Sequence, residues 1–381
     1  MNVLITGGAG FIGRRLAQKL ASQGLRVTIL DNLSEQIHGR GADFPGELTR
    51  LSGSRCVCGD VRDEELVREL VSDQEVIVHL AAETGTGQSM YAVRRYADVN
   101  LQGTAALLDV VVNHRPRRLR KLLVASSRAI YGEGQYECQT HGVVYPGART
   151  AEAMAARRFD PECPVCGGKV SVRPTPEETP FAPSSFYGLT KQVQEQMTLM
   201  FGATLGLDAF ALRYQNVFGP GQSLSNPYTG LLAVFSNLVR QGKPLNIFED
   251  GLESRDFVYV DDVVDATARC VAENVHGVAA LNVGSGERTT VLEVAQAVRR
   301  YFNSDVAIEV TGAFRVGDIR HNVADISRIK AMTGFVPKWR FEPGLREFLR
   351  WAETQAPNDV GFERSLAELK ERGLMGTGRD P

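Results

Sequence analysis

The chain has 381 residues, enough for two domains or one large one. Its composition, 43% hydrophobic and 23% charged, is that of an ordinary globular protein, and a net charge of −2 gives no basic surface for nucleic acid or an anionic membrane. No apolar run reaches the roughly eighteen residues of a membrane span, and no signal peptide precedes the first strand. We therefore expect a cytoplasmic protein that acts on a small molecule.

Apolar segments alternate with segments of helical periodicity through the first third of the chain. Strands are predicted at 3–5, 27–31, 57–60, 76–80 and 122–125, and helices at 14–23, 63–72 and 90–113. This alternation is typical of right-handed βαβ units, so the sequence predicts an α/β protein with a Rossmann-type, doubly wound parallel sheet.

The alternation stops after Tyr131 and resumes near Tyr187. Helices are then predicted at 187–205, 261–273 and 291–302, and strands at 209–213 and 280–283. We predict a dinucleotide-binding domain of 1–134 and 179–213 that also receives 255–283, and an insertion at 135–178. A smaller mixed substrate domain would comprise 214–254 and 284–355, followed by a C-terminal tail, 356–381, whose last residues fray.

A glycine-rich loop joins the first predicted strand to the first helix. Its glycines permit a tight turn and let the backbone approach a pyrophosphate, which the free N–H groups of the helix N-terminus would bind. Asp31 ends the next strand, where a carboxylate accepts hydrogen bonds from a ribose diol and repels a 2′-phosphate, so NAD is favoured over NADP. The alternative is a glycine turn that caps a helix without any ligand. The predicted residues of this site are Gly7, Gly10, Phe11, Ile12, Gly13, Asp31 and Asn32.

Two further strand ends add to the predicted cofactor site. Asp60 and Val61 follow the third strand and would lie beside the adenine, although Asp60 could instead cap the next helix. Leu80, Ala81 and Ala82 follow the fourth strand, where small residues would let the cofactor backbone pass. Taken alone, the two alanines could reflect packing only.

A phenol and an ammonium lie four residues apart at Tyr187 and Lys191, on one face of a predicted helix. An isolated phenol, with a pKa of about 10, is too weakly acidic to act as a base at neutral pH. A fixed ammonium nearby would favour the phenolate, which could then remove a proton from a sugar hydroxyl. Ser127, at the end of the fifth strand, completes the predicted catalytic group.

Together these patterns resemble the extended short-chain dehydrogenases/reductases, in the branch of nucleotide-sugar epimerases and dehydratases. The resemblance covers roughly residues 1–350 apart from the insertion. It includes His79-Leu-Ala-Ala82, Val99-Asn100, Ser126-Ser-Arg-Ala-Ile-Tyr131-Gly132, Leu212-Arg-Tyr-Gln-Asn216-Val-Phe-Gly-Pro220, Arg255-Asp-Phe-Val-Tyr-Val-Asp-Asp262, Asn282-Val-Gly-Ser-Gly286 and Arg315-Val-Gly-Asp318.

The resemblance implies a role for each matching residue. Ser127 would hydrogen-bond the reacting sugar oxygen, Tyr187 would be the base, and Lys191 would hold the phenolate and the nicotinamide ribose. Asn100 would join the cofactor site. Arg255 and Arg315 would bind a nucleoside diphosphate, because guanidinium forks suit its two charges, although both could form ordinary salt bridges instead. The remaining substrate candidates are Thr84, Arg128, Asn216, Gln222, Asn226 and Asp318; for Gln222 and Asn226 turn chemistry is an alternative.

Arg128 and Ala129 bear on the reaction. In the family's 4,6-dehydratases an Asp-Glu pair follows the Ser or Thr, and neither residue here can replace those acids. The resemblance therefore implies a 4-epimerase that oxidises C4 with NAD and returns the hydride to the other face. A dTDP-6-deoxy-hexose such as dTDP-L-rhamnose is the implied substrate, and a homodimer built on helices 90–113 and 187–205 is the implied assembly. A dehydrogenase or reductase, a dehydratase, and a non-catalytic dinucleotide sensor remain alternatives.

The insertion carries its own pattern of metal ligands. Cys138 and His141 form one pair, and Cys163 and Cys166 form another, each with two intervening residues. This spacing is typical of structural zinc sites resembling a zinc ribbon. Four protein ligands leave no open position, so the sequence predicts a structural zinc ion. A loop with free cysteines is the alternative.

Overall fold

The computed structural model describes residues 1–224, 230–356 and 362–377. Within them the strands, in chain order, are β1 Asn2–Thr6, β2 Arg26–Asp31, β3 Ser54–Cys58, β4 Val76–His79, β5 Lys121–Ser127, β6 Tyr136–Cys138, β7 Gly142–Val144, β8 Val170–Val172, β9 Asp208–Tyr214, β10 Asn216–Phe218, β11 Leu245–Ile247, β12 Ser254–Arg255, β13 Phe257–Tyr259, β14 Val278–Val283, β15 Thr289–Thr290, β16 Ile308–Val310, β17 Ala313–Arg315 and β18 Met375–Thr377.

The α-helices are α1 Phe11–Ser22, α2 Glu35–His38, α3 Gly46–Thr49, α4 Glu64–Val71, α5 Thr86–Ser89, α6 Val93–Tyr96, α7 Gly103–His114, α8 Ala151–Ala155, α9 Phe186–Leu205, α10 Leu231–Arg240, α11 Val260–Val271, α12 Val291–Tyr301, α13 Ser327–Thr333, α14 Phe341–Glu353 and α15 Phe362–Glu371. A π-helix spans Ala97–Gln102 and a 3₁₀ helix spans Arg128–Tyr131. No helix in the described ranges is both long enough and apolar enough to cross a membrane.

Seven parallel strands form the central sheet, in the order β14-β9-β5-β4-β1-β2-β3. Strands β4 and β5 are buried along their whole length, because helices cover both faces of the sheet. The strand order reverses between β1 and β4, which opens a crevice at the carboxyl ends of these strands. The predicted Rossmann-type sheet is thereby confirmed.

The helix predicted at 90–113 is continuous from 93 to 114 but is not α-helical throughout. The chain forms α6, the π-helix and α7 in succession, and residues 90–92 are not helical. The π turns contain Asn100, whose side chain is fully buried. Asparagine hydrogen-bonds readily outside its own helix, and such inserted turns are common at functional sites.

Small sheets surround the carboxyl edge of the central sheet. The insertion folds as a three-stranded antiparallel sheet, β7-β6-β8, together with helix α8. The strands after β9 pair as β10 with β13, β11 with β16, and β12 with β15. Strand β18 pairs antiparallel with β17, so the C-terminal segment adds a strand to the region that contains Arg315.

Candidate active site

A cleft of about 560 Å³ opens at the point where the strand order reverses. Residues from the glycine loop, from the ends of β2 to β5 and from helix α9 meet there. The sequence-predicted residues that line it are Gly7, Gly10, Phe11, Ile12, Gly13, Asp31, Asn32, Asp60, Val61, Leu80, Ala81, Ala82, Thr84, Ser127, Arg128, Tyr187, Lys191, Asn216 and Gln222.

The three loop glycines differ in what they permit. Gly7 has a φ of +68°, and a Cβ there would lie 2.7 Å from the backbone nitrogen of Ala81. A Cβ on Gly13 would lie 2.5 Å from the carbonyl oxygen of Gly7, so Gly13 lets helix α1 pack on the loop. Gly10 caps α1 without a side-chain hydrogen bond, and the first turn has no acidic residue. The free N–H groups of this helix end therefore suit a pyrophosphate.

Two carboxylates lie along the cleft at the ends of β2 and β3. Asp31 accepts hydrogen bonds from the backbone N–H groups of Ala9 (3.0 Å) and Leu33 (2.9 Å), which fix its orientation. Asp60 is not a helix cap, since Asp63 caps α4 instead. Its carboxylate pairs with Arg62 and Asn32, and the hydrogen bond from Arg62 lowers the pKa of Asp60 to about 2.

Asn100, which the sequence placed among the cofactor residues, does not line the cleft. Its amide accepts from the backbone N–H of Glu83 at 2.8 Å and donates to the hydroxyl of Thr190 at 2.9 Å. Thr190 immediately precedes Lys191 on α9. Asn100 therefore connects the loop after β4 to the helix that carries the catalytic pair.

Ser127, Tyr187 and Lys191 meet at the centre of the cleft. The Lys191 ammonium donates to the carbonyl oxygen of Ala125 at 2.9 Å and lies 6.0 Å from the centre of the Tyr187 ring. Helix α9 approaches the 3₁₀ helix closely at Gly188, where a Cβ would lie 2.5 Å from the carbonyl oxygen of Ala129. This glycine lets the phenol reach the end of β5.

The charges around the Tyr187 phenol include one that the sequence did not indicate, that of Arg128. Burial raises the pKa of Tyr187, and a hydrogen bond from Ser127 and the charge of Arg128 oppose that rise. Burial lowers the pKa of Lys191 to about 7. The positive charge of Arg128 therefore favours the Tyr187 phenolate.

Three arginines and one aspartate whose charges act on one another are here called the arginine cluster: Arg128, Arg255, Arg315 and Asp318. Of these four residues, Arg128 lines the cleft. Arg255 donates to the carboxylate of Asp318 at 3.2 Å. Burial, followed by the charge of Arg255, lowers the pKa of Arg128 to about 10. The Nε of Arg315 is buried without a hydrogen-bond partner in the described part of the chain. Asp318 pairs with Arg255, whereas Arg128 has no hydrogen bond or ion pair among the described residues, so the cluster suits an anion with more than one charge.

Asn216 and Gln222 line the opposite wall of the cleft. Each has a buried amide oxygen without a donor among the residues that the structure describes. An unsatisfied buried acceptor is costly, so these oxygens suit a ligand with hydroxyl or N–H donors. Asn226 lies outside the described residues.

The four predicted metal ligands in the insertion lie together. The Nδ1 atom of His141 is 3.6 Å from the Sγ atoms of both Cys138 and Cys163. The Sγ atoms of Cys138 and Cys166 are 3.8 Å apart, without a disulfide. With Zn–S bonds of about 2.3 Å and Zn–N bonds of about 2.0 Å, a tetrahedral site has S–S edges of about 3.8 Å and S–N edges of about 3.5 Å.

Sequence reasoning missed several residues around the cleft. Arg14 lines it and donates to the carbonyl oxygen of Gly221 at 2.8 Å. His38 lies 3.5 Å from the carboxylate of Asp31. Helical spacing from Gly10 could have placed Arg14 on the cleft face of α1, whereas His38 and Arg149, described below, lie in segments without a recognisable pattern.

Comparison with known proteins agrees with this geometry. The model of the NAD dependent epimerase/dehydratase family matches residues 3–151 and 165–284. The chain is 38% identical to the dTDP-L-rhamnose 4-epimerase of Burkholderia thailandensis, over 92% of this chain and 94% of that protein.

Two solved structures show the same fold. The UDP-glucose 4-epimerase of Thermotoga maritima, solved with UDP-glucose, is 29% identical with a TM-score of 0.75, over 93% of this chain and 99% of that one. The UDP-glucose 4-epimerase of Thermus thermophilus, solved with NAD, is 28% identical with a TM-score of 0.72, over 93% and 100%.

Proposed function

The chain belongs to the NAD dependent epimerase/dehydratase family, and from that premise we propose that it is an NAD-dependent nucleotide-sugar 4-epimerase. The observation that carries the proposal is the convergence of Ser127, Tyr187 and Lys191 in a cleft that is also lined by the glycine loop and by Arg128 of the arginine cluster. A nucleotide sugar bound in that cleft would place its diphosphate near the guanidinium groups and its sugar beside the phenol.

The cofactor site fits NAD. The uncapped N-terminus of α1 suits the pyrophosphate, and Gly10 has room beside it, since a Cβ there would meet only the carbonyl oxygen of Gly7, at 3.2 Å. Asp31 retains lone pairs for a ribose diol and its charge disfavours a 2′-phosphate. The chemistry supplied by NAD, when bound, is reversible acceptance of the C4 hydrogen with its electron pair.

The chain's own residues would move the proton. Tyr187, as phenolate, removes the proton from the C4 hydroxyl while the C4–H bond breaks, which leaves a 4-keto sugar. Ser127 hydrogen-bonds the same oxygen, and the carbonyl oxygen of Ala125 holds Lys191 beside the phenol. After the keto sugar has turned over and the hydride has returned to its other face, Tyr187 gives the proton back, so atoms and electrons balance over the cycle.

A dehydratase is disfavoured by the residues after Ser127. Elimination across C5 and C6 requires an additional acid and base near the sugar. Arg128 is a half-buried cation and Ala129 is a buried methyl side chain, so neither can fill these roles.

We propose a dTDP-6-deoxy-hexose, such as dTDP-L-rhamnose, as the substrate. Support comes from the similarity to the Burkholderia enzyme, which exceeds that to the UDP-sugar epimerases named above. The test is incubation with a panel of UDP-, dTDP- and GDP-sugars, with the products separated by chromatography. Conversion of dTDP-L-rhamnose to its C4 epimer supports the proposal, and turnover of only UDP- or GDP-sugars contradicts the choice of substrate.

The insertion is proposed to hold a structural zinc ion on Cys138, His141, Cys163 and Cys166. The distances between donor atoms, which match the edges of a tetrahedral site, support this, and thiolate ligands fit a reducing cytoplasm. Elemental analysis should find one zinc per chain, with loss of the metal in Cys166→Ser but not in Cys58→Ser, a lone exposed cysteine. Metal-free parent protein would contradict the proposal.

A homodimer is proposed through the helical segments around 93–114 and 186–205. Four large apolar side chains in or beside these segments are exposed: Met90, Val93, Leu189 and Met200. We expect Met200→Glu to shift the mass measured by light scattering from dimer to monomer. Val310→Glu, at an equally exposed valine of β16, is the control and should leave the mass unchanged.

A further inference from the structure

Arg149 links the insertion to the substrate domain through a buried guanidinium group. It precedes helix α8, and only 3% of its side chain is exposed. Its Nε donates to Glu133 at 3.0 Å, its Nη1 donates to Glu249 at 2.8 Å and to the carbonyl oxygen of Phe159, and its Nη2 donates to the backbone oxygen of Asp318 at 2.9 Å. Four acceptors from separate segments thus meet at one side chain.

The contact with Asp318 reaches the arginine cluster directly. The Asp318 carboxylate accepts from Arg255, and the charges of Arg255, Arg315, Arg128 and Arg149 together lower the pKa of Asp318 against the effect of burial. Asp318 is therefore the anion around which the cluster is arranged. Because Arg149 holds the backbone of Asp318, a shift of Arg149 would displace that anion and its partner Arg255.

Ion pairs of Arg320 also connect the insertion to the segment that contains Asp250. Arg320, 1% exposed, donates to Asp160 of the insertion at 2.8 Å and to Asp250 of the substrate domain at 2.6 Å. Arg149 and Asp160 both lie in residues 142–162, between His141 and Cys163. The Cys/His cluster brings these two ends together, so a metal bound there would close the loop that carries both connections.

We propose that Arg149 is a positioning residue for the diphosphate site, and that metal binding in the insertion raises nucleotide affinity through it. This rests on the proposed function and on the proposed zinc. Arg149 touches neither the cleft nor the catalytic group. Its effect therefore belongs to binding of the nucleoside diphosphate rather than to the chemical step.

The first experiment compares Arg149→Gln with Arg158→Gln, a matched control at an exposed arginine of the same insertion. Calorimetry with dTDP as the probe measures binding to enzyme that retains its NAD. We expect Arg149→Gln to raise the dTDP Kd about tenfold or more, because the variant loses a buried charge beside Glu133 and Glu249 and the guanidinium that holds the backbone of Asp318. NAD content and kcat at saturating substrate should stay within about threefold of the parent, whereas KM rises with the Kd.

Arg149→Lys serves if Arg149→Gln does not fold. It keeps the charge, but one ammonium cannot reach all four acceptors, so a rise in Kd is again expected. Equal dTDP affinities in the Arg149 and Arg158 variants would overturn the positioning role. A fall in kcat without a change in Kd would overturn it as well.

The second experiment removes the metal with a chelator from the parent and from Arg149→Gln. Metal removal should weaken dTDP binding in the parent and add little in the variant, because both changes act through one connection. Additive losses would overturn the coupling. If the purified parent contains no zinc, the metal half of the proposal fails and the first experiment alone decides the role of Arg149. Failure of the epimerase proposal would be distinct: dTDP would bind, but no sugar would be epimerised.

Discussion

Arg128 interacts electrostatically with both the proposed base, Tyr187, and the rest of the arginine cluster. It lines the cleft beside Ser127, and its charge acts to lower the pKa of Tyr187. The charges of Arg255 and Asp318 in turn act on the pKa of Arg128. No hydrogen bond or ion pair of its side chain is found in the part of the chain that the structure describes. A half-buried guanidinium without a fixed partner is available to a substrate and influences the base at the same time.

Replacing Arg128 with Gln should therefore move the pH dependence. The cation lowers the pKa of Tyr187, so its loss raises that pKa, and because the phenolate is the base, the acid limb of the kcat profile should move to higher pH. KM for the nucleotide sugar should rise about tenfold. The measurement is kcat and KM across pH for parent and variant. An unmoved limb with a raised KM would confine Arg128 to binding.

His79 connects the site to pH-dependent stability. Its ring hydrogen-bonds Thr6 at 2.7 Å and Thr104 at 2.9 Å, and burial, followed by the charge of Lys191, lowers its pKa to about 3. Between about pH 6.5 and pH 3 the unfolded chain therefore binds one more proton than the folded chain. The free energy of unfolding should fall by about 1.4 kcal/mol per pH unit in that window as the pH decreases.

Denaturant unfolding of His79→Gln tests this. The variant should lose that part of the slope, since it has no imidazole to protonate. His276→Gln, at a histidine whose side chain is 72% exposed, should keep the parent's slope. Identical slopes in parent and His79→Gln would show that the buried imidazole does not carry the effect.

At the scale of elements, the sequence predicted strands and helices well where one periodicity lasts. It did not predict the π-helix of Ala97–Gln102, because its shifted hydrogen bonds leave no periodic trace in the sequence. The resemblance placed Asn100 at the cofactor, whereas its side chain hydrogen-bonds Glu83 and Thr190. The sequence also did not predict that the C-terminal segment forms α15 and β18 and packs on the rest of the molecule. The hydroxyl of Tyr91 donates to Glu368 at 2.9 Å, and β18 pairs with the strand of Arg315, contacts that only the fold reveals.

Strand β18 offers a direct test of this C-terminal contribution. A Cβ on Gly376 would lie 2.4 Å from the buried ring of Phe314, so Gly376→Val should displace β18 from β17. We expect a loss of about 1–3 kcal/mol in the free energy of unfolding and weaker dTDP binding through Arg315. Gly147→Val, where a Cβ meets no atom within 4 Å, is the control. Unchanged dTDP affinity in Gly376→Val would show that the C-terminal segment does not contribute to nucleotide binding.

At the scale of the whole molecule, the cleft and the catalytic group could be predicted because their residues sit at strand ends and in one helix. The arginine cluster was foreseen only through resemblance, since Arg128, Arg255 and the Arg315–Asp318 segment are far apart in the chain. Arg149 could not be foreseen, because it lies in an insertion whose fold depends on tertiary contacts. The insertion is thus the part of the molecule about which the structure adds most.

The central claim is epimerisation at C4 by internal return of the hydrogen. The most direct measurement uses dTDP-L-rhamnose carrying deuterium at C4, incubated with purified protein without added NAD, and follows the label by mass spectrometry and NMR. We predict formation of the C4 epimer with the deuterium retained at C4 and no net change in cofactor redox state. A product lighter by one water, a net reduction of cofactor, or loss of the label to solvent would contradict the account.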